Sequence, residues 1–221
     1  MGTLIVNFKN YPEVLGKGSL RLAMSAQRVA ETTGADLVVA PPSPFLALVA
    51  SAARIPVYSQ SVGREKGDKT TGATLPEAVR AAGAKGTILN HSESRRTLPE
   101  LRILIPRLQR VGLEVCLCAR TSAEAARLAK FRTKYLAVEP PELIGSGMAV
   151  STARPELVAR AASAVREAGY SGKLLCGAGI ASGRDVSRAV ELGVDGVLVS
   201  SSVVKAADWD LKLGELARSL G

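Results

Sequence analysis

Short β-branched runs alternate eight times with longer alanine-rich stretches whose apolar residues recur at helical spacing, and no other feature restricts the possible folds as strongly. The runs lie at Thr3 to Val6, Asp36 to Ala40, Pro56 to Ser59, Gly86 to Leu89, Glu114 to Cys118, Tyr135 to Val138, Lys173 to Cys176 and Gly196 to Val199. Between and after them the spacing predicts helices near Ser19 to Thr32, Pro44 to Ala53, Leu75 to Ala82, Pro99 to Val111, Ser122 to Lys130, Pro155 to Ala168, Gly183 to Leu192 and Asp208 to Leu220. Spread over 221 residues, eight units leave about 28 residues each, close to the minimum for one strand, one helix and two short connections. Glycine follows five of the helical stretches, at Gly34, Gly83, Gly112, Gly169 and Gly193, where a chain leaves a helix through a left-handed residue.

Runs such as Val38-Val39-Ala40 and Val197-Leu198-Val199 are apolar on both faces, as parallel strands covered by helices must be. An open, doubly wound α/β sheet would satisfy that pattern too. Eight regular units, with no Gly-x-Gly-x-x-Gly after the first strand, favour a closed (β/α)8 barrel formed by residues 1–221 as a single domain.

Composition excludes several classes. No segment reaches the ~18 uninterrupted apolar residues of a membrane span, and Met1-Gly2 leads directly into a strand-like run without signal-peptide character, so a soluble, cytoplasmic protein is expected. Cys116, Cys118 and Cys176 are too few for a disulfide framework and read as small buried residues in a reducing compartment; a single histidine supplies no Cys/His metal spacing. The 29 Lys and Arg exceed the 20 Asp and Glu, giving a net charge of +9, but they are scattered, with Arg95-Arg96 the one adjacent pair and few aromatics beside them. That pattern favours a solvated basic surface over a nucleic-acid face, and an anionic small substrate suits it equally.

In a barrel of this kind the residues just beyond the strands share one rim, where the chemistry takes place. Asn7 and Lys9 follow the first strand, Asn90 and His91 the fourth, Glu139 the sixth, Gly177 and Gly179 the seventh, and Ser200 and Ser201 the eighth. Each has a plain reading: a strand-end lysine is usually solvated, a lone histidine structural, and a glutamate can cap a helix. Their joint placement on three strand ends points to a site. Cys176-Gly177-Ala178-Gly179 and Ser200-Ser201-Ser202 both lead into helices after strands seven and eight, where barrels often bind phosphate with backbone N–H groups. The segment Pro140-Pro141-Glu142-Leu143-Ile144-Gly145-Ser146-Gly147 has two prolines at one end and two glycines at the other, a stiff body between flexing points, as a lid requires; an ordinary surface turn is the plain alternative.

At these residues the chain resembles the triose-phosphate isomerases, and in particular their short archaeal form. Asn7-Phe8-Lys9 looks like the family's Asn-x-Lys, Asn90-His91-Ser92-Glu93 like its His-Ser-Glu segment, and Glu139 to Gly147 like its catalytic glutamate and lid; Thr71-Gly72 and Leu175 to Ile180 keep the same register. The resemblance implies reversible conversion of dihydroxyacetone phosphate to glyceraldehyde 3-phosphate, in glycolysis and gluconeogenesis, with no cofactor and no metal. It makes Glu139 the base, His91 the electrophile and Lys9 the cation that holds the anionic substrate with Asn7. Ile144 joins the lid and the substrate contacts, while Gly179, Ser200 and Ser201 occupy phosphate-site positions. Ser92 and Glu93 stand where a helix start would favour a neutral His91.

Three departures stand out: Pro141-Glu142 replaces a more hydrophobic lid pair, Ser94 a usual arginine, and Ser200-Ser201 a glycine pair. The alternatives are another sugar-phosphate isomerase or a noncatalytic phosphate-ligand barrel; metal-dependent epimerases need more histidine than the chain has. For assembly, the Gly63 to Leu75 connection resembles a loop inserted into a neighbouring subunit. The resemblance suggests a homo-oligomer, a tetramer made of dimers rather than a dimer alone, with Leu101 to Leu108 either a second interface or barrel packing. Neither nucleic acid nor membrane is expected as a partner.

Overall fold

A computed structural model describes residues 2–63, 65, 67, 69–139 and 155–221. Eight parallel strands run in the order β2-β1-β8-β7-β6-β5-β4-β3: β1 Thr3–Asn7, β2 Asp36–Ala40, β3 Tyr58–Ser59, β4 Gly86–Leu89, β5 Glu114–Ala119, β6 Tyr135–Val138, β7 Lys173–Cys176 and β8 Gly196–Val199. The remaining seam, between β2 and β3, is bridged at Val39 and Val57, where the Val39 N–H donates to Pro56 O at 3.1 Å. The third strand is therefore shorter than its apolar run, because Pro56 cannot donate to a sheet ladder and only Tyr58 and Ser59 pair fully with β4.

The helices are α1 Lys17–Thr33, α2 Leu46–Ala52, α3 Pro76–Ala81, α4 Leu98–Arg110, α5 Ser122–Ala129, α6 Pro155–Glu167, α7 Gly183–Glu191, a short α8 Ser201–Val204 and α9 Trp209–Arg218. They follow the expected positions, with the second shortened because Ser43–Phe45 winds as a tighter 3-10 turn before it. All five glycines expected to end helices take positive φ, from 71° at Gly169 to 99° at Gly193. Helix α4 starts where Thr97 accepts the Glu100 N–H and the Glu100 carboxylate accepts the Thr97 N–H, a reciprocal cap that fixes the end of the β4–α4 connection.

Side-chain alternation separates the apolar residues into two sets. Ile5, Val38, Ala40, Tyr58, Ile88, Cys116, Cys118, Tyr135, Ala137, Leu175 and Leu198 fill the barrel lumen. Their strand neighbours, among them Leu4, Val6, Leu89, Leu117, Val138 and Val199, pack outward against the helices. The three cysteines are free and buried. Burial pushes the Cys176 thiol up to about 12, and the Cys118 thiol is raised by its hydrogen bond with the Cys116 thiol, by burial and by the nearby charge of Glu139.

Polar groups close the lumen at the strand N-termini. The Lys173 ammonium donates to Thr3 Oγ1 at 2.8 Å and to Asp36 Oδ2 at 3.2 Å, the Tyr135 hydroxyl reaches the same carboxylate, and the Tyr58 hydroxyl donates to Glu114. Gly86 is required here: a Cβ would lie 2.6 Å from the Tyr58 ring. With one mouth sealed, the strand C-termini form the open end.

Candidate active site

The lumen-facing alternation continues past the strand ends. Asn7 extends the register of Ile5, and Glu139 that of Tyr135 and Ala137, while Gly177 and Ser200 extend those of Leu175 and Leu198. Asn7 and Glu139 therefore project above the apolar plug without special backbone geometry, whereas Ser200 leaves the strand conformation at φ −145° and ψ −92°. Asn7, Lys9, His91, Ser92, Glu139, Gly177 to Ile180 and Leu198 to Ser202 line one cleft, so the lysine, histidine and glutamate singled out in the sequence come together.

Glu139 is 2% exposed and keeps its place in the sheet through a 2.7 Å bond from its N–H to Ala119 O. The Ser92 N–H donates to its Oε2 at 3.1 Å, and His91 Nε2 lies 3.1 Å from its Oε1. The backbone N–H of Glu93 donates to His91 Nδ1 at 3.2 Å, so this network assigns the ring proton of a neutral imidazole to Nε2, the atom facing the cleft. The residues after His91 form a single turn, closed by Ser94 N–H to His91 O at 2.9 Å, and α4 begins only at Leu98. Ser92 and Glu93 thus do not start a helix; the N–H that meets the imidazole comes from this tight turn, since the cap at Thr97 delays helix entry.

Lys9 adopts a φ of 48°, unusual for a residue with a side chain, and its backbone is held on both sides. Its N–H donates to Asn7 Oδ1 at 3.0 Å, and its carbonyl accepts from Gln60 Nε2 at 2.9 Å. Gln60 also donates to Ala40 O at 3.0 Å, tying the exits of β1 and β2 together. The Lys9 ammonium pairs with Glu93 Oε1 at 2.7 Å. Glu93 is mostly exposed whereas Lys9 is largely covered, so an incoming anion can displace the carboxylate at little cost.

Gly179 has a φ of 66° and Ser200 and Ser201 complete the opposite wall. The Ser200 hydroxyl is buried with no hydrogen-bond partner among the described residues. The expected lid, Pro140, Pro141, Glu142, Leu143, Ile144, Gly145, Ser146 and Gly147, lies outside the described residues. Gln60 was missed in the sequence although it continues the inward register of Tyr58, one residue past β3; a reading of every strand exit would have found it. Gly177 earns its place sterically, since a Cβ there would lie 2.7 Å from Glu139 Cγ.

A family model described as triosephosphate isomerase matches residues 2–217. Among curated relatives, the triosephosphate isomerase of Caldivirga maquilingensis is 42% identical over 217 residues, covering 98% of this chain and 96% of the relative. Those of Cenarchaeum symbiosum and Methanoculleus marisnigri are each 43% identical over 217 residues, with 98% of this chain covered and 97% and 98% of the relatives. The barrel, the cleft above its strand C-termini and these full-length matches lead to one conclusion: the chain belongs to the triosephosphate isomerase family.

Proposed function

We propose that the protein interconverts dihydroxyacetone phosphate and D-glyceraldehyde 3-phosphate, with Glu139 as base, His91 Nε2–H as the donor that polarises the carbonyl, and Lys9 as the cation that binds and stabilises negative charge. The observation that carries this reading is the pairing of a buried carboxylate with an imidazole whose proton faces the cleft, beside a lysine. A proton next to a carbonyl is too weakly acidic for a carboxylate in water, so the developing enediolate needs preorganised donors. A substrate carbonyl oxygen that accepts from His91 Nε2–H is held in the same cleft as the Glu139 carboxylate, next to the proton that the carboxylate removes. Glu139 then carries the proton from one carbon to the next while His91 and Lys9 stabilise the oxygens. As the carbon-bound proton moves, the hydroxyl proton passes through His91 to the former carbonyl oxygen, so ketose and aldose balance and no cofactor is consumed.

Asn7 supports Lys9, and Gly179, Ser200 and Ser201 receive the phosphate. Pro140 to Gly147, including Ile144, serves as the lid; its prolines and glycines begin directly after the base, and closure would protect an intermediate that loses phosphate in water. The setting is cytoplasmic glycolysis and gluconeogenesis, and among the described residues no helix is long and apolar enough to cross a membrane. The assembly is a homotetramer made of dimers. Turnover in D2O tests the chemistry: proton transfer through Glu139 predicts product carrying solvent deuterium at the carbon that receives the proton. Binding of a phosphate ligand without any isomerisation would leave only a binding barrel.

A further inference from the structure

His91 stands in the wrong strand register for the cleft it serves. Along β4 Ile88 faces the lumen and Leu89 the helices, so simple alternation would send residue 90 inward and residue 91 outward. Asn90 interrupts that alternation. It takes a φ of 64°, and the chain turns so that the next side chain enters the cleft. Asparagine tolerates positive φ better than most side chains, yet its own preference is weak, and the conformation persists only where its surroundings fix it.

Asn90 is 1% exposed and uses both ends of its amide. Its Nδ2 donates to Cys118 O, at the end of β5, at 2.8 Å; its Oδ1 accepts from the Arg96 N–H, where the connection returns toward α4, at 2.9 Å. Its carbonyl accepts from Arg95 at 3.0 Å, and Arg95 is itself paired with Glu124, whose carboxylate also accepts the Arg120 N–H at 2.7 Å. The amide thus pins both ends of the turn whose Glu93 N–H meets His91 Nδ1.

We propose that Asn90 is a positioning residue for the isomerase reaction: its side-chain amide clamps the left-handed turn that brings the protonated Nε2 of His91 into the cleft. The proposal rests on the role given to His91 above. Replacing the amide frees the turn without removing any group that touches substrate, so the loss falls on orientation rather than binding.

Asn90→Gly is the sharpest test, because glycine keeps positive φ accessible and removes only the clamp. We expect kcat to fall about 10- to 100-fold with KM within about twofold of wild type. The chain has one histidine, so the two imidazole ¹⁵N resonances are unambiguous. In the wild type they should report an unprotonated Nδ1 and a protonated Nε2, and in the variant a mixture of tautomers. Asn90→Asp, which keeps the acceptor for Arg96 but cannot donate to Cys118 O, should give a smaller loss in the same direction and serves if the glycine variant fails to fold. Wild-type kcat with wild-type imidazole resonances would overturn the proposal, as would a lowered melting temperature with both unchanged. Normal turnover by His91→Asn would instead remove His91 from the mechanism, and the imidazole spectrum of Asn90→Gly would still decide whether the clamp exists.

Discussion

Glu139 works in a space set by a residue with no side chain. Any Cβ at position 177 would approach Glu139 Cγ to 2.7 Å and Val138 O to 3.2 Å, closer than carbon atoms normally come. The carboxylate would have to move, and displacement on the order of 1 Å at a reacting group costs up to about 10²-fold in rate. Gly177→Ala should therefore lower kcat at least about tenfold while leaving the fold in place. Steady-state kinetics alongside a thermal melt check this, and wild-type kcat would show that Glu139 has room to spare. The residue scale also shows what could be read in advance. Asn7 and Glu139 lie on the inward register of their strands, so the two-residue period alone projects them into the cleft. His91 does not, and its place depends on the φ of Asn90, which is set by Cys118 O and the Arg96 N–H and has no signature in local pattern. The strand-end reading put it on the rim by position alone, and the resemblance of Asn90-His91-Ser92-Glu93 to a known segment gave it a role.

At the scale of elements, the alternating runs identified all eight strands and their helices because helix-covered parallel strands are apolar on both faces. The detail that periodicity misses is capping and strand pairing: Thr97 sets the start of α4, and Pro56 shortens β3. Helix α4 also resolves an ambiguity in its own sequence. Leu101, Leu104, Ile105 and Leu108 turn inward and are buried on the barrel, while Ile103 remains 53% exposed. That leaves Ile103, beside Arg107 and Arg110, as the apolar residue this helix can offer a second copy. The proposed tetramer predicts a light-scattering mass of four times 23.0 kDa; a mass of 23.0 kDa would refute oligomerisation altogether.

For the molecule as a whole, function concentrates at one mouth of the barrel and stability at the other. Burial alone would raise the Asp36 carboxyl, but hydrogen bonds from Thr3, Lys173 and Tyr135 with the Lys173 charge outweigh it and hold the group below its ordinary 3.8. A carboxylate whose folded value is depressed stabilises the fold above its unfolded value, and that contribution disappears as pH falls through the folded one. Asp36→Asn should thus lower the melting temperature by a constant amount from about pH 5 to pH 8, with the gap to wild type closing below about pH 4. A gap that widened in acid would reverse the sign assigned to Asp36. The surplus of +9 is spread over the surface, where it can draw in a phosphorylated substrate, while Lys9 is a cation that shares the cleft with the proposed base Glu139. The proposed chemistry comes down to Glu139, and the turnover of Glu139→Gln with triose phosphates measures it directly. The amide keeps the shape and the cleft, so a phosphate-bearing inhibitor should still bind while kcat falls by about 10² or more; a Glu139→Gln protein that isomerises at near wild-type rate would show that another group moves the proton.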